Sequence, residues 1–300
     1  MSGFLSRDVI KLCRPYQWVK NVFVLAPLLF SESMLRWPIA GKAFLAAACF
    51  CFWSSAVYCL NDVLDRTADQ RHPRKNNRPV AAGRISPRLA IAISLAMSLI
   101  GFTLAWLISN LFLVFGGLYL LNSAFYFVLL KRKVIADVLA IAIGFVIRLL
   151  AGCAAIAVLP SSWLLVCGFS FALLLGFGKR RLEVDLPEDP TAFRSSLRYY
   201  SAEKLNLLLG VTASVCLVSY MLYTQAPETI RKHGTANLVF TVPLVAYGLF
   251  RYLFKVQEGR FSGPEEVLLT DWVFLATGVA WIISVLAVLY VFKASVVQLQ

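Results

Sequence analysis

Residues 40–69 read AGKAFLAAACFCFWSSAVYCLNDVLDRTAD. The first part, 40–60, is almost wholly apolar, and the polar run Asn61-Asp62-Val-Leu-Asp65-Arg66-Thr-Ala-Asp69 follows without a break. About 20 consecutive apolar residues are what a helix needs to cross the hydrocarbon core of a bilayer. An abrupt polar edge on such a run marks where it meets water. The pattern recurs at 20–37, 88–108, 111–130, 135–157, 162–178, 204–224, 236–254 and 270–292. The chain therefore predicts an all-α, polytopic membrane helical bundle of about nine transmembrane helices, one integral-membrane domain over 1–300. The first span is the weakest, being short and interrupted by Pro27 and Glu32.

Composition excludes the other classes. Of 300 residues, 59% are hydrophobic without counting glycine and 15% are charged, against roughly 45–50% apolar and 25% charged in ordinary soluble chains. A soluble globule of this size could not hide so much apolar surface, and disordered segments are polar. An outer-membrane barrel would alternate apolar and polar residues along each strand, whereas these runs are continuous. The net charge is +13, from 29 Lys and Arg against 16 Asp and Glu. In a soluble protein that would point to nucleic acid. In a membrane protein it reflects Lys and Arg gathered in cytoplasmic loops, so no nucleic-acid partner is expected. The cysteines, Cys13, Cys49, Cys51, Cys59, Cys153, Cys167 and Cys216, form no CxxC pair and read as small core residues. The N-terminal MSGFLSRDVIKLCRPYQWVKN shows neither the apolar core nor the cleavage site of a signal peptide. Arg7, Lys11 and Arg14 with Phe4, Leu5, Val9, Ile10 and Leu12 predict a short amphipathic helix on the membrane surface.

Charge orients the spans. One set of connections carries Arg66, Arg71, Arg74, Lys75, Arg78 and Arg84, then Lys131, Arg132 and Lys133, then Lys179, Arg180, Arg181, Arg194 and Arg198, then Arg251, Lys255 and Arg260. The alternate connections are poor in charge, Arg36, Lys42, Arg231 and Lys232 excepted. By the positive-inside rule the rich set and the N-terminus are cytoplasmic, which suits a multi-pass protein of the plasma (inner) membrane. The long polar segments, 61–87 and 179–203, then both meet the cytoplasm.

The chemistry concentrates in Asn61 to Asp69. On one helix, Asp62, Asp65 and Asp69 would share a face. They would repel one another at a helix C-terminus, where the dipole disfavours anions, with Arg66 as the nearest cation in sequence. A divalent cation would relieve them, and Mg²⁺ is commonly shared between one or two carboxylates and substrate phosphates. The bland alternative is a solvated acidic loop. Beside the aspartates stand Arg71, His72, Pro73, Arg74, Lys75, Asn76, Asn77, Arg78 and Pro79. Arg holds phosphate bidentately and Lys as a point charge, so the loop reads as a diphosphate clamp rather than as topology signal alone; for His72 both readings stand.

A second element runs from Tyr126 through Lys131, Arg132 and Lys133 to Asp137, Ile141, Gly144 and Arg148. Asp137 and Arg148 fall on nearly one helical face, about 16 Å apart at 1.5 Å per residue. Arg148 lies inside an apolar span, where a charge is expensive and functional by default; the alternative is a buried partner for a stray carboxylate such as Glu32. Gly144 could make room for a ligand or for close helix packing. The third element, Gly178-Lys179-Arg180-Arg181-Leu182-Glu183 with Arg194, Arg198, Tyr199 and Tyr200, is open between phosphate binding and helix-end pairing, Glu183 standing at i+4 from Lys179. In Arg14-Pro-Tyr-Gln-Trp-Val-Lys20-Asn21, Tyr16 and Trp18 suit a membrane-interface belt, and Lys20 and Asn21 are candidates for polar ligand atoms.

These motifs resemble the UbiA superfamily of intramembrane prenyltransferases. Its first aspartate-rich motif, NDxxDxxxD, stands complete as Asn61, Asp62, Asp65 and Asp69. The second, commonly DxxxD, is degenerate: Asp137 is followed by Ile141. The stretches RPYQWVKN, NDVLDRTADQRHPRKNNRP, LKRKVIADVLAIAIGFVIRLLAG, GKRRLE and YGLFRYLF are similar to those of the decaprenyl-phosphate phosphoribosyltransferase branch. The resemblance implies a Mg²⁺-dependent transferase of cell-wall biosynthesis. It would move 5-phosphoribosyl from phosphoribosyl pyrophosphate to a polyprenyl phosphate at the cytoplasmic face and release pyrophosphate. Asp62, Asp65 and Asp69 would be the catalytic, metal-holding residues. Lys20, Asn61, Arg71, Lys75, Arg78, Tyr126, Lys131, Asp137, Arg148 and Lys179 would form the substrate site. Prenyl transfer to an aromatic acceptor is the alternative within the superfamily, and an anionic-metabolite transporter the alternative outside it. A homo-oligomer is left open.

Overall fold

The computed structural model describes residues 2–71, 75–184, 195–261 and 263–292. His72, Pro73, Arg74 and Arg194 lie outside these residues, as do the side chains of Phe4 and Leu5. The amphipathic N-terminal helix is α1 (Ser2–Cys13). Eight described helices are long and apolar enough to cross a membrane: α2 (Trp37–Leu64), α3 (Pro87–Trp106), α4 (Asn110–Leu130), α5 (Ala136–Ala155), α6 (Ser162–Val184), α7 (Ala202–Gln225), α8 (Asn237–Gln257) and α9 (Trp272–Tyr290). Their starts follow local rules. Ser86, Ser109, Ser201 and Asp271 each accept a hydrogen bond from the N–H three residues on, at 3.2, 3.1, 3.2 and 2.7 Å, relieving otherwise orphaned donors.

The remaining expected span, 20–37, is not a continuous α-helix. Pro15–Leu25 is a 3₁₀ helix and Ala26–Phe30 a short α-helix. At about 2.0 Å per residue a 3₁₀ helix covers more length than an α-helix of equal count. Its buried side chains are polar as well as apolar, Gln17, Asn21 and Val24, and hydrogen bonds rather than helical propensity hold it. It runs antiparallel along α2: Gln17 accepts from Tyr58 at 3.3 Å, Trp18 Nε1 donates to Ser55 at 3.0 Å, and Asn21 Nδ2 donates to Ser54 at 3.3 Å.

The chain groups into two compact units, 1–131 with 144–160, and 132–143 with 161–300. The first is organised around Trp53, Phe50, Phe112 and Tyr119, all at most 6% exposed. Trp53 stacks on Phe112, with centroids 5.6 Å apart, and rests on glycines: a Cβ at Gly101 would lie 2.5 Å from Trp53 Nε1, and one at Gly116 would collide with the ring. That approach lets α3 and α4 close on α2, as small residues do between membrane helices. In the second unit α6 packs most extensively on α7, Tyr252 fits against Gly178, and Tyr220 joins Thr241 at 2.7 Å and Trp281 at 3.0 Å.

Candidate functional site

The acidic motif is not one helical face. α2 ends at Leu64, Asp65 caps it at φ −91° and ψ 3°, and a new helix, Arg66–Arg71, carries Asp69. The three carboxylates are separated accordingly. Asp62 is 1% exposed and Asp69 4%; Asp65 is half-buried. Repulsion at the end of α2 is relieved by cations distant in sequence rather than by Arg66, which is exposed. Arg14 forms an ion pair with Asp62. Arg78 Nη1 reaches both Asp69 Oδ2 at 2.6 Å and Asp62 Oδ1 at 3.3 Å. Asp65 faces Lys131, whose Nζ lies 2.6 Å from Oδ1. A π turn at Tyr126–Leu130, closed by Lys131 N–H donating to Tyr126 O at 2.8 Å, widens the end of α4 just before that lysine. Such turns are frequent at functional sites. Burial pushes the Asp69 carboxyl above the usual carboxylate range despite the pull of Arg78.

Among the described residues, no three His, Cys, Asp or Glu side chains are grouped so as to hold a metal ion. Asp62 and Asp69 stand together on Arg78, while Asp65 pairs with Lys131. The donors of Asp62 and Asp69 suit Mg²⁺. Both are hard oxygens bridged by one guanidinium, and Asp62 Oδ2 is buried without a hydrogen-bond partner among the described residues. Mg²⁺ is usually held by one or two carboxylates and completed by phosphate oxygens and water.

The other expected residues differ in exposure and partners. Asn61, Lys75, Arg78 and Lys131 are half-buried, and Arg71 is exposed. Lys20 is half-buried and pairs with Gln17. Tyr126 is half-buried, its ring against Phe127. Arg148, 5% exposed, has no carboxylate partner among the described residues, so the pairing with Glu32 is not made. Its three nitrogens donate to Asn21 Oδ1 at 2.9 Å, Gly144 O at 2.9 Å and Tyr119 Oη at 3.1 Å. The rings of Phe50, Tyr119 and Phe145 surround the guanidinium at 4.5–5.6 Å, and this aromatic cage offsets part of its desolvation. Gly144 gives its space to this packing: a Cβ there would meet Asn122 at 3.3 Å and Arg148 at 3.7 Å.

Within the second unit Asp137 and Arg180 are both 0% exposed and paired at 2.9 Å. Arg180 also pairs with Glu183. Tyr200 donates its hydroxyl to Asp137 Oδ1 at 3.0 Å and accepts the Ile135 N–H at 2.7 Å; burial pushes its pKa up to about 12. Ile135 is held at φ 65°, a costly region for a β-branched residue. Asp137, expected as a substrate or metal contact, stands here in an internal ion pair, since a carboxylate buried at the start of α5 needs a charge partner of its own. Lys179, one residue before Arg180, is half-buried. Sequence reasoning passed over Arg14 as a partner of the aspartates and Tyr119 as a partner of Arg148; both act across long sequence separations and leave no local signal.

The chain is similar to known proteins over nearly all its length. The model of the UbiA prenyltransferase family matches residues 22–277. A decaprenyl-phosphate phosphoribosyltransferase from Mycobacterium tuberculosis is 32% identical over 289 residues, 94% of each chain. Another from Corynebacterium glutamicum is 30% identical over 295 residues, covering 96% of this chain and 88% of that one. In fold, the chain superposes on a UbiA homolog from Archaeoglobus fulgidus, solved bound to GPP and Mg²⁺, with a TM-score of 0.71 at 18% identity, covering 95% of this chain and 100% of that one.

Proposed function

The chain belongs to the UbiA prenyltransferase family, as an integral-membrane transferase, and from that premise we propose that it transfers 5-phosphoribosyl from phosphoribosyl pyrophosphate to a polyprenyl phosphate of decaprenyl type. The observation that carries this reading is the cluster of Asp62, Asp69, Arg14 and Arg78 at the end of α2. It pairs hard oxygen donors with guanidinium forks, the two groups a metal-bound diphosphate requires. Likeness to the phosphoribosyltransferases over more than nine-tenths of the chain, and Ile141 in place of a second acidic residue, favour this acceptor over an aromatic one. A transporter does not account for membership in a transferase family.

The chemistry asks little of a general base, because the acceptor phosphate is already an anion. Asp62 and Asp69 would hold Mg²⁺, which when bound would neutralise charge building on the pyrophosphate leaving group. Arg78, Lys75 and Lys131 stand around the same end of α2 to bind phosphate oxygens, and Arg71, Asn61 and Lys20 are the further polar contacts we assign to substrate. With the donor's pyrophosphate fixed, C1 of the ribose is presented to the lipid phosphate oxygen; a C1–O bond forms as the bond to pyrophosphate breaks. Alignment and charge stabilisation supply the acceleration. The Lys and Arg gathered in the charge-rich connections support a cytoplasmic position for this end of α2 and for the N-terminus, which suits a plasma-membrane protein.

The test is product formation by the purified protein in lipid nanodiscs, given labelled phosphoribosyl pyrophosphate, decaprenyl phosphate and Mg²⁺. A lipid-soluble labelled product that disappears with EDTA and in Asp62→Asn and Asp69→Asn supports the reading. No labelled lipid, together with consumption of a prenyl diphosphate and an aromatic acid, would replace it with prenyl transfer.

A further inference from the structure

We propose that Arg14 is a diphosphate-binding residue held in reserve on Asp62, so that a divalent cation and a diphosphate bind this site strongly together and poorly apart. The inference rests on the reading of Asp62 and Asp69 as the metal pair. Arg14 sits where α1 gives way to the 3₁₀ segment, at φ 52° and ψ 62°. That is the left-handed region, strained for a non-glycine residue, and strain of this kind gathers at ligand clamps and switches. The turn aims its guanidinium at Asp62, over the Tyr58 ring at 5.1 Å, and leaves the side chain 11% exposed.

The charge balance then decides. Two carboxylates face two guanidiniums, Arg14 and Arg78, and the buried cluster is neutral. Mg²⁺ arriving alone must displace at least Arg14 from Asp62 and leaves an excess of about +2 in a poorly hydrated place. A diphosphate ester arriving alone brings about −3 against two carboxylates. Both together leave about −1, a smaller imbalance than either ligand alone creates. The released Arg14 fork then has a phosphate to grip bidentately.

The competing explanation is that the Arg14–Asp62 pair only fastens the N-terminal segment to α2. That segment is already fastened by Gln17 to Tyr58, Trp18 to Ser55 and Asn21 to Ser54, so removing Arg14 leaves these attachments in place. Equilibrium dialysis of the full-length protein in nanodiscs, with radiolabelled Mn²⁺ and radiolabelled pyrophosphate, counts each ligand on the protein against a protein-free chamber. In the wild type each ligand should raise the affinity for the other by about 10-fold or more, within the range of ordinary site–site coupling. In Arg14→Gln, Mn²⁺ alone should bind several-fold tighter and the coupling should shrink to less than about 3-fold. In Arg14→Lys, which keeps the charge without the fork, Mn²⁺ alone should bind as in the wild type and pyrophosphate more weakly; this variant carries the test if Arg14→Gln does not fold. Coupling unchanged in Arg14→Gln, or wild-type Mn²⁺ affinity indifferent to pyrophosphate, would overturn the proposal. Phosphoribosyl transfer is scored separately. Transfer without coupling sinks this inference alone, and coupling without transfer sinks the acceptor assignment alone.

Discussion

Arg180→Met tests the polar core of the second unit. Arg180 and Asp137 are both fully buried, 2.9 Å apart. Their partners are unequal. Arg180 has two carboxylates, Asp137 and Glu183. Asp137 has Arg180 as its one cation among the described residues, together with the Tyr200 hydroxyl and the Val138 N–H at 2.9 Å. Removing Arg180 strands a buried carboxylate, and breaking a buried pair in this way costs about 3–5 kcal/mol, a fall of roughly 150- to 5,000-fold in the folded-to-unfolded ratio. Asp137→Asn should cost less, because Arg180 keeps Glu183 and the amide can still accept from Tyr200. The double variant Arg180→Met/Asp137→Asn should be more stable than Arg180→Met alone, since the stranded charge is gone. Thermal unfolding in detergent micelles, followed by tryptophan fluorescence, ranks the three. A wild-type transition for Arg180→Met, or Asp137→Asn as the more damaged single variant, would refute the reasoning.

Three further outcomes are expected. Gly101→Ala should destabilise by about 1–3 kcal/mol, because the added Cβ meets the buried Trp53 ring 2.5 Å away; a shifted unfolding transition checks it, and an unshifted one would mean α3 moves freely. Arg148→Lys should fail to restore what Arg148→Met loses, since three different nitrogens serve Asn21, Gly144 and Tyr119 and an ammonium on a flexible stem cannot reproduce that fork; equal stability of Lys and wild type would contradict it. Arg251 holds the Asp271 carboxyl below the usual range through bonds of 2.7 and 2.9 Å. The stability from this pair is therefore present above the ordinary carboxylate pKa and is lost as pH falls through the lowered folded value. Asp271→Asn should narrow the stability gap between neutral pH and about pH 3, measured by the same unfolding assay.

The parts of this protein that obey local rules were legible in the residues themselves. Eight of the nine expected spans are helices because apolar runs of that length have no other way to satisfy their backbone in a bilayer. Family membership was legible in Asn61, Asp62, Asp65 and Asp69, a motif short enough to read without knowing the fold. Where local rules met tertiary competition the reading failed. The segment at 20–37 became a 3₁₀ helix and a short α-helix because Gln17, Trp18 and Asn21 found partners on α2. The aspartates parted at Asp65 because Lys131 drew it one way and Arg78 drew its neighbours another.

Sequence alone determined that the chain crosses a membrane repeatedly and sets carboxylates and cations just past the end of an apolar run, since hydropathy and charge act on each residue wherever it sits. Tertiary structure decided which charge answers which. Arg14 and Asp62 are 48 residues apart, and Asn21 and Arg148 are 127 apart. No pattern along the chain announces such pairs. They form because a buried charge must find a partner, and only the folded packing settles which one lies within reach.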